Sequence, residues 1–219
     1  MILNKLTKIA NKYKTDKGTL YSFKHGYTEF YEPFVKKYEC PIILEVGVDK
    51  GGSLMMWNDY YEGKCRIYGI DIDDKKEYET ENIHIYQCDQ GNKNSLDAFV
   101  KEMEDNNIKF DIIIDDGSHT VTHQFLTLYK FSSLLNKDGI YIIEDLHTSF
   151  NFNYSGDNWH NILNYLASGG VMPSLYPYIT TEQMSELSGK IKDVQIYNRY
   201  NPNNDVCLNR SITSVISLK

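Results

Sequence analysis

Glu45-Val46-Gly47-Val48-Asp49-Lys50-Gly51-Gly52-Ser53 lies between an apolar run and a helix-like segment. Glycines at such a junction let the backbone come close to a ligand. The spacing is G-x-x-x-G-G, which departs from the G-x-G-x-x-G dinucleotide fingerprint. Asp71 closes the next apolar run, where a carboxylate can accept hydrogen bonds from both hydroxyls of a ribose. Asp89 and Gln90 follow the third run and are placed to read an adenine edge. Any one of these features reads equally well as a tight turn or a helix cap. Three of them at successive strand ends weaken that reading considerably.

The elements that must position these residues are short apolar strands alternating with polar, helix-length segments. Strands are expected at Ile42–Gly47, Arg66–Asp71, Ile83–Tyr86, Phe110–Asp115 and Gly139–Glu144, with helical periodicity over Ser53–Tyr61, Ser95–Asn106 and Thr122–Leu135. β-branched runs with little alternation belong to a parallel sheet covered on both faces. The order of elements predicts an α/β fold with a doubly wound, mostly parallel sheet. Val194–Tyr200 and Ser211–Leu218 flank an Asn-Pro-Asn-Asn loop and are expected as an antiparallel hairpin on the sheet edge. His147 to about Gly170 is aromatic and polar, with Tyr154, Trp159 and Tyr165. It reads as a lid or substrate loop, or as a surface excursion into a helix at Trp159–Leu166.

Composition removes several function classes. Lys and Arg total 23 against 30 Asp and Glu, a formal net charge of −7, which disfavours a protein that grips nucleic acid through phosphates. No apolar run reaches the roughly 18–20 residues of a membrane span, and the first residues lack the pattern of a secretory signal. The four cysteines are scattered, which fits reduced thiols in a bacterial-type cytosol. Location is therefore expected to be cytoplasmic. The Lys- and Tyr-rich, Arg-poor usage fits AT-rich coding DNA.

The glycine constellation also carries a resemblance. E-V-G-x-x-x-G-G-S followed by G-I-D resembles motifs I and II of class I S-adenosylmethionine-dependent methyltransferases. Thr15-Asp16-Lys17-Gly18, His25-Gly26-Tyr27, Tyr31-Glu32-Pro33-Phe34, Asp115-Asp116-Gly117-Ser118-His119 and Ile143-Glu144-Asp145-Leu146-His147-Thr148-Ser149 extend it over approximately residues 13 to 160. Together they are similar to the metal-dependent macrolide and sugar O-methyltransferases of the mycinamicin VI 2''-O-methyltransferase type. The resemblance implies a seven-stranded Rossmann-like sheet, S-adenosylmethionine as cofactor, and Glu45, Gly47, Gly51, Ser53, Asp71, Asp89, Gln90 and Asp115 around it. It implies one methyltransferase domain. Residues 1–40 form a helical, cofactor-closing segment, 41–146 the core, 147–180 the lid and 190–219 the hairpin.

Asp116 lies just past the fourth strand, while Glu144 and Asp145 end the fifth, so neighbouring strands bring three carboxylates together. Oxygen-only ligation points to Mg²⁺. Asp115 or Asp116 is alternatively placed to cap the next helix, and Asp115 reads mainly as a local hydrogen-bonding residue or cofactor contact. The family match makes His119 the general base, taking the acceptor hydroxyl's proton. His147 is the rival base or a supporting partner, and His123 reads as a helix-face residue. His25 and Tyr27 read as closing residues over the cofactor or as ordinary packing. His147 and Tyr154 are the substrate candidates. The expected acceptor is a small molecule or glycan precursor, with a glycosyl diol on a bacterial surface polysaccharide or natural product favoured. A homo-oligomer is compatible with this. The alternatives are a phosphate-type oxygen on such a glycan, a hydroxylase-like metal enzyme on the same fold, and a non-catalytic cofactor-binding subunit.

Overall fold

The β-branched runs form the parallel strands of the computed structural model, which describes residues 3–150, 159, 162, 163, 168, 180–203 and 209–219. The strands are β1 (Ile42–Val46), β2 (Arg66–Asp71), β3 (Ile83–Gln87), β4 (Phe110–Asp115), β5 (Leu135–Ile143), β6 (Ile191–Tyr200) and β7 (Arg210–Leu218). They build one seven-stranded sheet in the order β3-β2-β1-β4-β5-β7-β6. The first five are parallel, and β7 pairs antiparallel with both β5 and β6. The hairpin therefore extends the β5 edge, with its second strand innermost.

Alternate strand residues serve opposite faces. Ile43, Ile67, Ile112 and Ile142 pack toward α1 (Lys5–Lys12), α2 (Tyr27–Val35) and α3 (Gly52–Tyr60). Leu44, Ile70, Ile113 and Ile143 pack toward α4 (Lys93–Asp105), α5 (Val121–Phe131) and α6 (Thr181–Lys190). Burial on both faces explains why the runs are continuously apolar.

Two boundaries differ by four residues from the sequence expectation, and β6 begins at Ile191, three residues before the expected Val194. α5 stops at Phe131 and passes through a 3₁₀ turn, Ser132–Leu134, into a longer β5. Leu135 pairs with Phe110 and Ile140 with Ile112, so the residues between them bulge out around Asp138 (φ 64°). α6 was not expected, although Thr180 and Gln183 form a capping box at its start. Most of residues 147–180, expected as a lid, including Tyr154, lies outside the described residues. Of the helix expected at Trp159–Leu166, Trp159, Ile162 and Leu163 are described, and all are buried. No helix among the described residues is long and apolar enough to cross a membrane.

Candidate active site

The carboxyl ends of β1 and β4 flank the point where strand order reverses, the usual ligand crevice of such sheets. Gly47 leaves β1 with φ 91° and donates its N–H to the Ile70 carbonyl at 2.8 Å. A Cβ here would run into the Asp116 carbonyl, so the turn is closed directly onto β4's end. Gly51, also left-handed, begins α3, and Ser53 is buried in that helix's first turn. Asp71 Oδ2 accepts the N–H groups of Val48 (2.8 Å) and Asp49 (3.2 Å), while Oδ1 accepts that of Asp73 (3.0 Å). Asp71 thus fixes the backbone of the glycine turn.

The next pair divides. Asp89 Oδ1 accepts the Gly91 N–H at 2.8 Å, which shapes a turn. The buried Gln90 amide donates to both Asp115 oxygens (2.7 and 2.9 Å) and to Thr127, and its oxygen accepts the Ser118 N–H. With those bonds made, Gln90 ties β4's end to α5 and has no free donor for an adenine edge. Asp115 is fully buried, bonded also to Thr127 Oγ1 at 2.5 Å, and burial pushes its carboxyl up to about 6. Local hydrogen bonding is its geometric role.

Asp116, His119 and Asp145 each offer a donor atom within 4.8 Å of the others. His119 and Asp145 both hold left-handed backbone (φ 54° and 55°), uncommon for these residues. His119 Nε2 lies 3.6 Å from Asp145 Oδ2, and its buried Nδ1 has no hydrogen-bond partner among the described residues. Asp145 Oδ1 accepts the Tyr27 hydroxyl at 2.7 Å and faces His25 Nε2 at 3.8 Å and His147 Nδ1 at 4.0 Å. Burial opposes ionisation of Asp145, but His119, His25, His147 and the Tyr27 hydrogen bond outweigh it and hold the carboxyl well below its usual range. His25 stacks on Tyr27 with ring centroids 4.7 Å apart, and both rings lie against Asp145 at the end of β5.

Glu144 points elsewhere. Its Oε2 accepts from Lys17 Nζ at 3.0 Å, its buried Oε1 has no hydrogen-bond partner among the described residues, and it is outside the 4.8 Å group. Lys17 also donates to Asp116 and lies 3.6 Å from Glu45 Oε1. Glu45 is fully buried, neither oxygen has a hydrogen-bond partner among the described residues, and burial lifts its carboxyl to about 7. Lys17 is the site residue that sequence reasoning missed. It sits in the Thr15–Gly18 motif, but its convergence with Asp116 spans 99 residues and with Glu144 127.

A second grouping, His25, Asp145 and His147, meets the same 4.8 Å criterion and has the composition of a two-histidine, one-carboxylate iron site. Two of its donor atoms are engaged, however: His147 Nδ1 accepts the Ile212 N–H at 3.3 Å, and Asp145 Oδ1 holds Tyr27, while His25 Nε2 has no hydrogen-bond partner among the described residues. That acceptor role puts the His147 proton on Nε2. Burial pushes the ring down to about 4. Because this folded value lies below the unfolded one, the stabilisation is full above about pH 6.5 and is lost as pH falls toward 4, a loss of roughly 3 kcal/mol. Subtracting the stability–pH curve of His147→Gln from that of the wild type should isolate this slope. A flat difference between pH 4 and 6.5 would show an ordinary histidine.

No protein-family model matches the chain. It is 31% identical over 195 residues to demethylmacrocin O-methyltransferase of Streptomyces fradiae, covering 84% of this chain and 47% of that enzyme. It is 31% identical over 152 residues to 8-demethyl-8-alpha-L-rhamnosyl tetracenomycin-C 2'-O-methyltransferase of Streptomyces olivaceus, covering 66% of this chain and 38% of that enzyme. The chain thus spans less than half the length of these curated relatives. Among solved structures, the MycE methyltransferase of the mycinamycin biosynthetic pathway, in complex with Mg and SAH, superposes with a TM-score of 0.74 at 23% identity, over 99% of this chain and 55% of that one. By sequence kinship and fold together, the chain is a homologue of the macrolide-type sugar O-methyltransferases, built on the class I S-adenosylmethionine-dependent methyltransferase fold.

Proposed function

We propose that this chain methylates a hydroxyl of a glycosyl group, with S-adenosylmethionine as donor and Mg²⁺ at the ends of β4 and β5. The observation that carries this reading is the convergence of Asp116, His119 and Asp145, with the Asp116 backbone closed against the Gly47 turn. The donor set suits a hard cation: carboxylates predominate, and Glu144 keeps one buried oxygen unpartnered. Asp116 and Asp145 would hold it, joined by Glu144 where that carboxylate is not held by Lys17. When bound, S-adenosylmethionine supplies an electrophilic methyl group and Mg²⁺ a Lewis acid for the acceptor oxygens.

The remaining work falls to side chains. Asp71 fixes the glycine turn and keeps lone pairs for a ribose. His119 Nε2, on the carboxylate side of the ring, takes the proton from the acceptor hydroxyl. Asp145 then stabilises the imidazolium from 3.6 Å. Tyr27 and His25 cover Asp145 from the N-terminal segment and keep bulk water from it. The acceptor we favour is a sugar of a surface polysaccharide or its nucleotide-linked precursor, and relatives named for methylation of a rhamnosyl tetracenomycin support a sugar hydroxyl. The iron-type grouping gives the hydroxylase reading one observation, but the engagement of His147 Nδ1 and Asp145 Oδ1 counts against it.

His119→Ala should retain Mg²⁺ binding and lower kcat by about 10²–10⁴-fold, with partial recovery at high pH as hydroxide replaces the base. Full activity at neutral pH would move the base to His147. Asp71→Ala should weaken cofactor binding, at about 1.5–3 kcal/mol for each charge-assisted hydrogen bond lost. Unchanged calorimetric affinity in the folded variant would refute the Asp71 assignment. The function itself is tested by transfer of labelled methyl from S-adenosylmethionine to a panel of nucleotide sugars and surface glycans. Transfer that survives EDTA in full would exclude the metal.

A further inference from the structure

Lys17 is the buried charge for which the proposed chemistry has no use. Its side chain is 1% exposed, yet its ammonium touches three carboxylates: Asp116, Glu144 at 3.0 Å and Glu45 at 3.6 Å. The stem is fixed from behind, because the Lys17 carbonyl accepts both the N–H and the hydroxyl of Thr28 at 3.2 Å, in the first turn of α2. An unpaired buried ammonium is costly, and so is an uncompensated buried carboxylate. Here carboxyl groups outnumber the ammonium, and Asp145 stands beside them. The ammonium takes Oδ2 of Asp116 and Oε2 of Glu144. These are two of the three side chains assigned to the metal.

We propose that Lys17 is the resident counter-ion of this carboxylate cluster. It holds the cluster together when no divalent cation is bound, and it sets affinity for that cation by competing for Asp116 and Glu144. The proposal rests on the metal reading above. It casts Lys17 as a positioning residue, acting through the carboxylates and not on the substrate. Attachment of Lys17 also docks the 15–27 segment, which brings His25 and Tyr27 to Asp145.

The test compares wild type, Lys17→Gln (donor kept, charge removed) and Lys17→Arg (charge kept). Mg²⁺ affinity is measured by calorimetry, and thermal unfolding with and without EDTA. Lys17→Gln should bind Mg²⁺ about tenfold or more tighter than wild type, since a like charge next to the ion is gone. In EDTA it should unfold about 6–20 °C lower, and Mg²⁺ should restore most of that loss. Lys17→Arg should follow wild type in both, and wild type should stay folded in EDTA. Lower stability with unchanged or weaker Mg²⁺ affinity in Lys17→Gln overturns the proposal and leaves Lys17 a packing residue. Absence of Mg²⁺ binding in wild type and variants alike overturns the metal reading itself, a distinguishable result. If Lys17→Gln does not fold in EDTA, its refolding yield against Mg²⁺ concentration decides: rescue supports the counter-ion role, and no rescue refutes it.

Discussion

Asp145→Asn is expected to reduce methyl transfer by about 10³-fold or more, the largest loss from any single side chain here. Asp145 is the one carboxylate shared by both donor groupings, and it meets His119, His25, His147 and Tyr27. Removing its charge takes away a cation ligand and the group that stabilises a protonated His119. Asparagine tolerates the left-handed backbone (φ 55°) and can still accept from Tyr27, so the fold should survive. Asp145→Ala adds backbone strain and strands the Tyr27 hydroxyl, and should be less stable. Single-turnover rates combined with S-adenosylhomocysteine titration separate these effects. A variant that keeps cofactor affinity but loses chemistry and Mg²⁺ binding is expected, whereas an active Asp145→Asn enzyme would remove Asp145 from the mechanism.

Gly47→Ala should be the most damaging change to the cofactor side. At φ 91° an L-residue is strained by about 1–3 kcal/mol, and pressing a methyl into backbone adds about as much again. The atom it would meet is the Asp116 carbonyl, in a backbone already tied to β1 through the Asp116 N–H to Val46 at 2.9 Å. Relief requires β1 and β4 to part, which displaces Asp116 together with the glycine turn. The expected outcome is a fall in melting temperature of about 5–15 °C and loss of cofactor affinity of roughly 100-fold or more. Differential scanning calorimetry and titration with S-adenosylhomocysteine read both. Near-wild-type values would mean that the turn relaxes without moving β4.

Some of this site can be read from one sequence because its determinants are local. The five parallel strands announce themselves through runs such as Ile112-Ile113-Ile114, and each strand end carries its polar residue. Asp116 and Asp145 could be paired from strand order alone. What could not be read depends on tertiary contact. Gln90 has the right place for an adenine reader, but Asp115, Thr127 and Ser118 consume its amide. Glu144, adjacent to Asp145, turns to a lysine 127 residues away. Lys17 itself looks like a surface lysine until the N-terminal segment folds across the sheet. α6 did leave a signal, the Thr180-x-x-Gln183 box, though its polar composition hid it.

The most direct measurement of the central claim is calorimetric titration of the metal-free chain with S-adenosylhomocysteine, followed by Mg²⁺, with 2-oxoglutarate as the control. Saturable S-adenosylhomocysteine binding, a separate Mg²⁺ isotherm that disappears in Asp145→Asn, and no response to 2-oxoglutarate are expected. Failure to bind S-adenosylhomocysteine, or binding of 2-oxoglutarate in its place, would contradict it.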